Sequence, residues 1–324
     1  MRIFSRGALL VLVSIPALMC RPAFAQEWPT KTVQFIAAAG PGSGPDIQAR
    51  HLAEQLSRMW GQQVIIDNRP GAAGTIGVIA AVRAPADNHV FLVTPAAPLV
   101  VAPHTMKALS FDVEKDLVAV VGLGYEWMMI AVNPEVKAGS VAELVALAKA
   151  SPGNLFLATS GRGNVPHLTG ELLNQAAGIR LTHVPYKTTD QAAVDTVGGR
   201  TQVWIAGVLA VLPHMKAGRV RGIAVAAPRR LPSLPDLPTV AETFADFSVG
   251  GWAAIMAPRG TSAAVIAKVN RDVNTVFNTP EMKRRFEEQG TQSPGGTPEE
   301  LAAAIRRDIK NYALAVKGAG IKPE

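Results

Sequence analysis

Residues 32–46 read Thr-Val-Gln-Phe-Ile-Ala-Ala-Ala-Gly-Pro-Gly-Ser-Gly-Pro-Asp, an apolar run that ends in a glycine-rich turn. Thr32 to Ala38 has the length and the aromatic and β-branched content of a buried strand. From Pro45 to Trp60 the apolar side chains of Ile47, Leu52 and Leu56 fall at helical spacing. Pro45 suits the first helical turn, where its missing N–H would be unpaired anyway. Strand, tight turn and helix in that order are the repeating unit of an α/β fold.

The unit recurs outward along the chain. Val64 to Ile66 reads as a short strand ended by the turn Asp67-Asn68-Arg69-Pro70-Gly71, Ala72 to Arg83 as a helix, and Val90 to Thr94 as a strand. A second series begins at Ser140, which forms a capping box with Glu143 ahead of a helix to Ala150. Strands at 155–158, 181–184, 202–206 and 220–225 follow, with helices at 166–177 and 189–197. Two apolar runs between Val118 and Val132 flank Gly122-Leu123-Gly124 and place a first crossing between domains. Gly250-Gly251-Trp252 to Met256 places the return. The expected division is therefore residues 26–126 plus 252–324 as one domain and 127–251 as the other, with a hinged cleft between them. Pro228 to Pro238 carries four prolines and reads as an extended surface connection. The tail is helical, with one stripe through Val265, Val269, Val273 and Phe277 and a capping box at Thr297–Glu300.

Residues 1–25 read as a cleaved signal peptide: Arg2 and Arg6, then an apolar run from Gly7 to Cys20, then Ala23-Phe24-Ala25 with small residues where a signal peptidase reads. The apolar run is short for a membrane span. Cleavage after Ala25 leaves an exported chain of 299 residues, without the single cysteine, Cys20, so no disulfide or thiol chemistry is expected. It also removes Arg2, Arg6 and Arg21, leaving 29 basic against 25 acidic residues. A net +4 without a basic run argues against nucleic-acid binding.

Two loops carry candidate chemistry. Gly42, Ser43 and Gly44 bring backbone and hydroxyl donors to a helix start, where the partial positive charge favours a carboxylate or phosphate. Asp46 reads as a cap of that helix or as a partner for a ligand ammonium. Residues 158–167 repeat the arrangement in the second domain, with Ser160, Gly161, Asn164 and His167 at the next helix start. Arg162 and Lys187 are the nearby cations, and Thr94 and Ala206 stand at strand ends expected to line the cleft. Gly40, Gly42 and Asp67 imitate a dinucleotide fingerprint, but Pro45 stands where its third glycine belongs, so no cofactor is expected. The six histidines, at 51, 89, 104, 167, 183 and 214, show no metal-ligand spacing. An exported serine hydrolase using Ser43 or Ser160 with His167 is the alternative from another class, and a ligand sensor presenting its bound form to a membrane signalling protein is a third.

Taken in order, several runs resemble one family over essentially the whole mature chain. They are Pro41-Gly42-Ser43-Gly44-Pro45-Asp46, Asp67-Asn68-Arg69-Pro70-Gly71-Ala72-Ala73-Gly74, Thr159-Ser160-Gly161, His167 to Leu172, His183-Val184-Pro185-Tyr186-Lys187, Leu212 to Gly218, Leu237 to Glu242 and Ala319 to Lys322. The chain is similar to the Bug-type, TctC-like extracytoplasmic solute-binding proteins of tripartite tricarboxylate transporters. The resemblance implies a type II-like periplasmic-binding-protein (Venus flytrap) fold and a monomer. It also implies a ligand among di- and tricarboxylates, acidic amino acids and aromatic acids, and the two membrane permease subunits as partners. This chain departs from the family pattern at Ala39, where a bulky wall residue is usual, at Pro45, where a hydroxyl is common, and at Thr188, where glycine follows Pro-Tyr-Lys.

Overall fold

The computed structural model describes residues 28–85, 87–292 and 295–318. The expected signal peptide at 1–25 and the run from Ala319 to Lys322 lie outside the described residues. The first series comprises β1 (Val33–Ala37), α1 (Gly44–Trp60), β2 (Val64–Asn68), α2 (Thr75–Val82), β3 (Val90–Pro95) and three short helical turns. These turns are α3 (Ala97–Val100), α4 (Ala102–Thr105) and α5 (Val113–Asp116). β4 (Leu117–Val132) leads to α6 (Val141–Ala150), β5 (Phe156–Thr159), α7 (Val165–Ala177), β6 (Thr182–Pro185), α8 (Thr189–Val197), β7 (Val203–Gly207), α9 (Val208–Lys216) and β8 (Arg221–Val225). β9 (Gly250–Pro258), α10 (Ala263–Phe277), α11 (Pro280–Gln289) and α12 (Pro298–Gly318) complete the chain.

One long strand organises both halves. The first part of β4 pairs antiparallel with β9, from Leu117 opposite Pro258 to Trp127 opposite Gly250. Its last five residues, Met128 to Val132, lie between β7 and β8, antiparallel to both. Beyond β9 the order continues β3, β1, β2, and beyond β7 it continues β5, β6. β1–β3 and β5–β7 are parallel, as βαβ units require. The two expected crossings are thus adjacent strands of one ladder, and Gly122-Leu123-Gly124 lies inside a continuous strand.

Strand alternation sends each sheet's side chains into two cores. Val33, Phe35 and Ala37 of β1 face α1, α10 and α11. Ile36 faces the opposite layer with α2, α3 and α12. In the second sheet Met128, Ile130 and Val132 pack towards α6 and α7, while Met129 and Ala131 pack towards α8 and α9. The expected capping box at Thr297 is complete, with Glu300 N–H donating to Thr297 Oγ1 at 3.1 Å and Thr297 N–H to Glu300 Oε2 at 2.8 Å. The one expected at Ser140 is half formed: Glu143 N–H donates to Ser140 Oγ at 3.2 Å, but the Glu143 carboxylate accepts from Gly139 N–H instead of Ser140 N–H. The helix expected from Ala72 to Arg83 starts later. Ala72 and Ala73 have φ of 45° and 53°, so residues 72–74 form a separate tight turn ahead of α2.

Candidate functional site

A cavity of about 640 Å³ is lined by residues from both sheets and from the β4–β9 ladder. The starts of α1, α7, α8 and α9 all reach it, through Gly44, Val165, Thr189 and Gly207 with Ala210. Each helix start presents N–H groups that its own helix cannot pair, together with partial positive charge. Three of these starts are capped by side chains. Asn164 accepts from His167 N–H, Thr188 accepts from Gln191 N–H, and Glu126 Oε1 accepts from Leu209 N–H at 2.7 Å. The Ser43 side chain instead donates to Gly40 O at 2.7 Å and leaves the first turn of α1 without a side-chain cap.

Of the candidates read from the sequence, Ser43, Gly44, Ser160, Gly161, Arg162, Asn164, Lys187 and Ala206 line this cavity. Gly42, Asp46, Thr94 and His167 are not among its lining residues. Asp46 is 2% exposed and faces the loop's own scaffold. Its carboxylate accepts from Gly42 N–H at 3.1 Å, Arg50 Nε at 3.0 Å and Asn68 Nδ2 at 2.8 Å. Asn68 also donates to Ala39 O, so the cluster pins the loop to the end of β2. Thr94 is fully buried, and its hydroxyl donates to Pro95 O at 2.9 Å.

His167 stacks on His183 behind the second loop, ring centres 4.0 Å apart. Its Nδ1 accepts from Gly163 N–H at 3.1 Å. The Thr159 hydroxyl donates to Gly161 O, so the 2.7 Å contact to His183 Nε2 is a donation from the ring. Burial, then the neighbouring His167, then Arg162 push His183 down to about 4, and burial first lowers His167 as well. Both rings are neutral struts that stiffen residues 159–163. His167 contacts neither Ser43 nor Ser160 by a hydrogen bond. Ser160 Oγ accepts from Asn164 Nδ2 at 3.2 Å, so the nucleophile–base pair of a hydrolase is not assembled.

The glycines of the first loop also do something the sequence does not disclose. A side chain at Gly40 would meet Thr188, at Gly42 it would meet Asp190, and at Gly44 it would meet Glu126. Gly40, Gly42 and Gly44 are therefore sockets for side chains arriving from α8 and β4. Thr188, a departure from the family pattern, caps α8 and fills the first socket with its Cβ 3.0 Å from where a Gly40 side chain would begin. Asp190 takes the second.

No motif singles out Glu126 in the sequence, although it is the only charged residue in Leu117–Val132. It is 9% exposed, it lines the cavity, and its carboxyl lies against Gly44 and Gly207 at two helix starts. Burial pushes it up to about 7, and the Leu209 N–H pulls in the opposite direction.

A family model described as tripartite tricarboxylate transporter family receptor matches residues 48–319. The chain is 33% identical to protein BugT of Bordetella pertussis over 97% of this chain and 98% of that protein. The solved structure of Rpa4515 of R. palustris with adipate superposes with a TM-score of 0.86 at 29% identity, covering 92% of this chain and all of the other. MatC of Rhodopseudomonas palustris, solved with malate, gives a TM-score of 0.80 at 25% identity, over 89% of this chain and all of the other. The fold is that of the periplasmic binding proteins. Among the described residues no helix is long and apolar enough to cross a membrane. The chain belongs to the tripartite tricarboxylate transporter receptor family, the Bug-type solute-binding proteins, a family of receptors and not an enzyme class.

Proposed function

We propose that the protein is an exported periplasmic receptor, released by cleavage after Ala25, that captures a small organic acid and delivers it to the membrane subunits of a tripartite transporter. It acts as a monomer of two lobes, residues 26–126 plus 252–324 and residues 127–251, which close on the ligand by bending at the β4–β9 ladder. The observation that carries this reading is the convergence of four helix starts, two loops and two cations on one cavity. Such a cavity favours an anion wherever the first-turn N–H groups are not already paired. Ser43 and Gly44 at the start of α1, and Ser160, Gly161 and Asn164 at the start of α7, hold the carboxylate, with Arg162 and Lys187 at the rim. The remaining wall is mostly Ala, Gly, Pro, Ile76, Met128, Val165 and Trp252, which suits an apolar body behind the acid group. The adipate and malate bound by two relatives point to the same ligand class.

A melting-temperature screen over carboxylic acids, sugars and amines tests the reading. An acid at 100 times its dissociation constant stabilises the folded state by about 2.7 kcal/mol, which for a chain of this size is roughly 4 °C. Ser160→Ala should weaken the best acid about 5-fold by removing one hydrogen bond. A response to neutral sugars with none to any acid would refute the proposal.

A further inference from the structure

Among the described residues three carboxylates are buried: Asp46, Glu126 and Asp272. Two of them have a cation, since Arg50 lies 3.0 Å from Asp46 and Lys268 lies 2.8 Å from Asp272. Glu126 has the single N–H of Leu209, and no cationic side chain contributes to its ionisation. A buried carboxylate without a cation must take up a proton or find its counter-charge elsewhere. Besides the starts of α1 and α9, whose partial positive charge offsets only part of a full negative one, what lies next to Glu126 is the cavity itself. The cavity is charge-separated: Arg162 and Lys187 stand exposed on the rim, while Glu126 stands at the β4 floor between the starts of α1 and α9.

We propose that Glu126 is the specificity-determining residue of the cleft and that it pairs with a cationic nitrogen on the ligand. The ligand class is then an amino carboxylate, its acid group held at the loop and rim donors and its ammonium at Glu126. This deepens the carboxylate reading above and rests on it. A plain dicarboxylate of the same length would bring a second negative charge to an already buried acid, at a cost that only protonation relieves. The other charged groups on the surrounding elements do not compete for the ammonium. Asp46 on α1 is saturated by Gly42, Arg50 and Asn68, Asp190 on α8 packs against Gly42, and His214 on α9 sits against Trp204.

Calorimetric titration of the mature protein at pH 7 with matched pairs tests this: hexanoate and 6-aminohexanoate, succinate and aspartate, benzoate and 4-(aminomethyl)benzoate. The expected result is that at least one amino member binds 10-fold or more tighter than its partner. Glu126→Gln should bring that ratio to about 1, because the amide neither attracts the ammonium nor repels a second carboxylate. In the wild type, titration in buffers of different ionisation enthalpy gives a readout that does not depend on the variant. An ammonium at Glu126 releases protons, whereas a second carboxylate there takes them up. Equal or tighter binding of the des-amino acids, proton uptake, or a ratio unchanged in Glu126→Gln overturns the assignment and leaves the carboxylate reading intact. If neither these compounds nor any acid of the melting-temperature screen binds at millimolar concentration, both readings fall.

Discussion

Unliganded Glu126→Gln is expected to be more stable than the wild type at pH 8 by about 3 kcal/mol and no more stable at pH 4. The folded-state carboxyl titrates at about 7 and the unfolded one at its ordinary 4.5. Below pH 4.5 both states hold the proton and the wild type carries no penalty. As pH rises towards 7 the unfolded chain ionises while the folded one resists. Wild-type stability therefore falls by about 1.36 kcal/mol for each pH unit until the folded carboxyl ionises too. Glutamine keeps the oxygen that accepts from Leu209 N–H, has nearly the same shape and does not titrate. Denaturant midpoints of both proteins between pH 4 and 8 measure the difference. A gap that is constant across that range would mean that the Glu126 carboxyl is not held up by burial.

Asp46→Asn is expected to cost about 2–3 kcal/mol and to weaken ligand binding even though Asp46 lies outside the cavity lining. Its carboxylate accepts from Gly42 N–H, Arg50 and Asn68 at once. An amide replaces one acceptor with a donor that faces other donors. Hydrogen bonds to a buried charge are worth about 1.5–3 kcal/mol each, and Arg50, half exposed, recovers part of its loss in water. Freed from Asp46, the loop from Ala39 to Gly44 loses its anchor to β2, and the uncapped start of α1 loses its position against the second half. Chemical denaturation gives the stability change, and titration with the best acid gives the binding change. Full stability in Asp46→Asn would show that the loop is held by its backbone alone.

The contrast between these two carboxylates explains what was legible in the sequence. The opening strand, turn and helix are a local matter, and 33–37 and 44–60 fall close to where period and proline place them. The second series follows for the same reason, each strand within a residue or two. α9 escapes a reading by period because Val203 to Leu212 is one apolar run. Such a run is buried on every side, carries no period that separates strand from helix, and is followed by Pro213 inside the helix. The glycine loop was legible as a candidate site, and Ser43 and Gly44 do line the cavity, but it was not legible as a set of sockets, since Thr188, Asp190 and Glu126 lie about 80–150 residues away and only the fold brings them there. Asp46 read first as a helix cap and second as a partner for a ligand ammonium, and its bonds to Gly42 N–H, Arg50 and Asn68 place it in the loop's scaffold. Glu126 had a signal, a lone acid in a strand otherwise without charge, that a search for motifs passes over.

The most direct test is a calorimetric titration of the mature protein with the best acid of the screen and with its methyl ester, repeated on Ser43→Ala and Ser160→Ala. If a carboxylate is gripped between the two halves, the acid binds one to one, the ester binds at least 100-fold more weakly, and a substitution on either side lowers affinity several-fold. Equal affinity for acid and ester, or indifference to both substitutions, would contradict it.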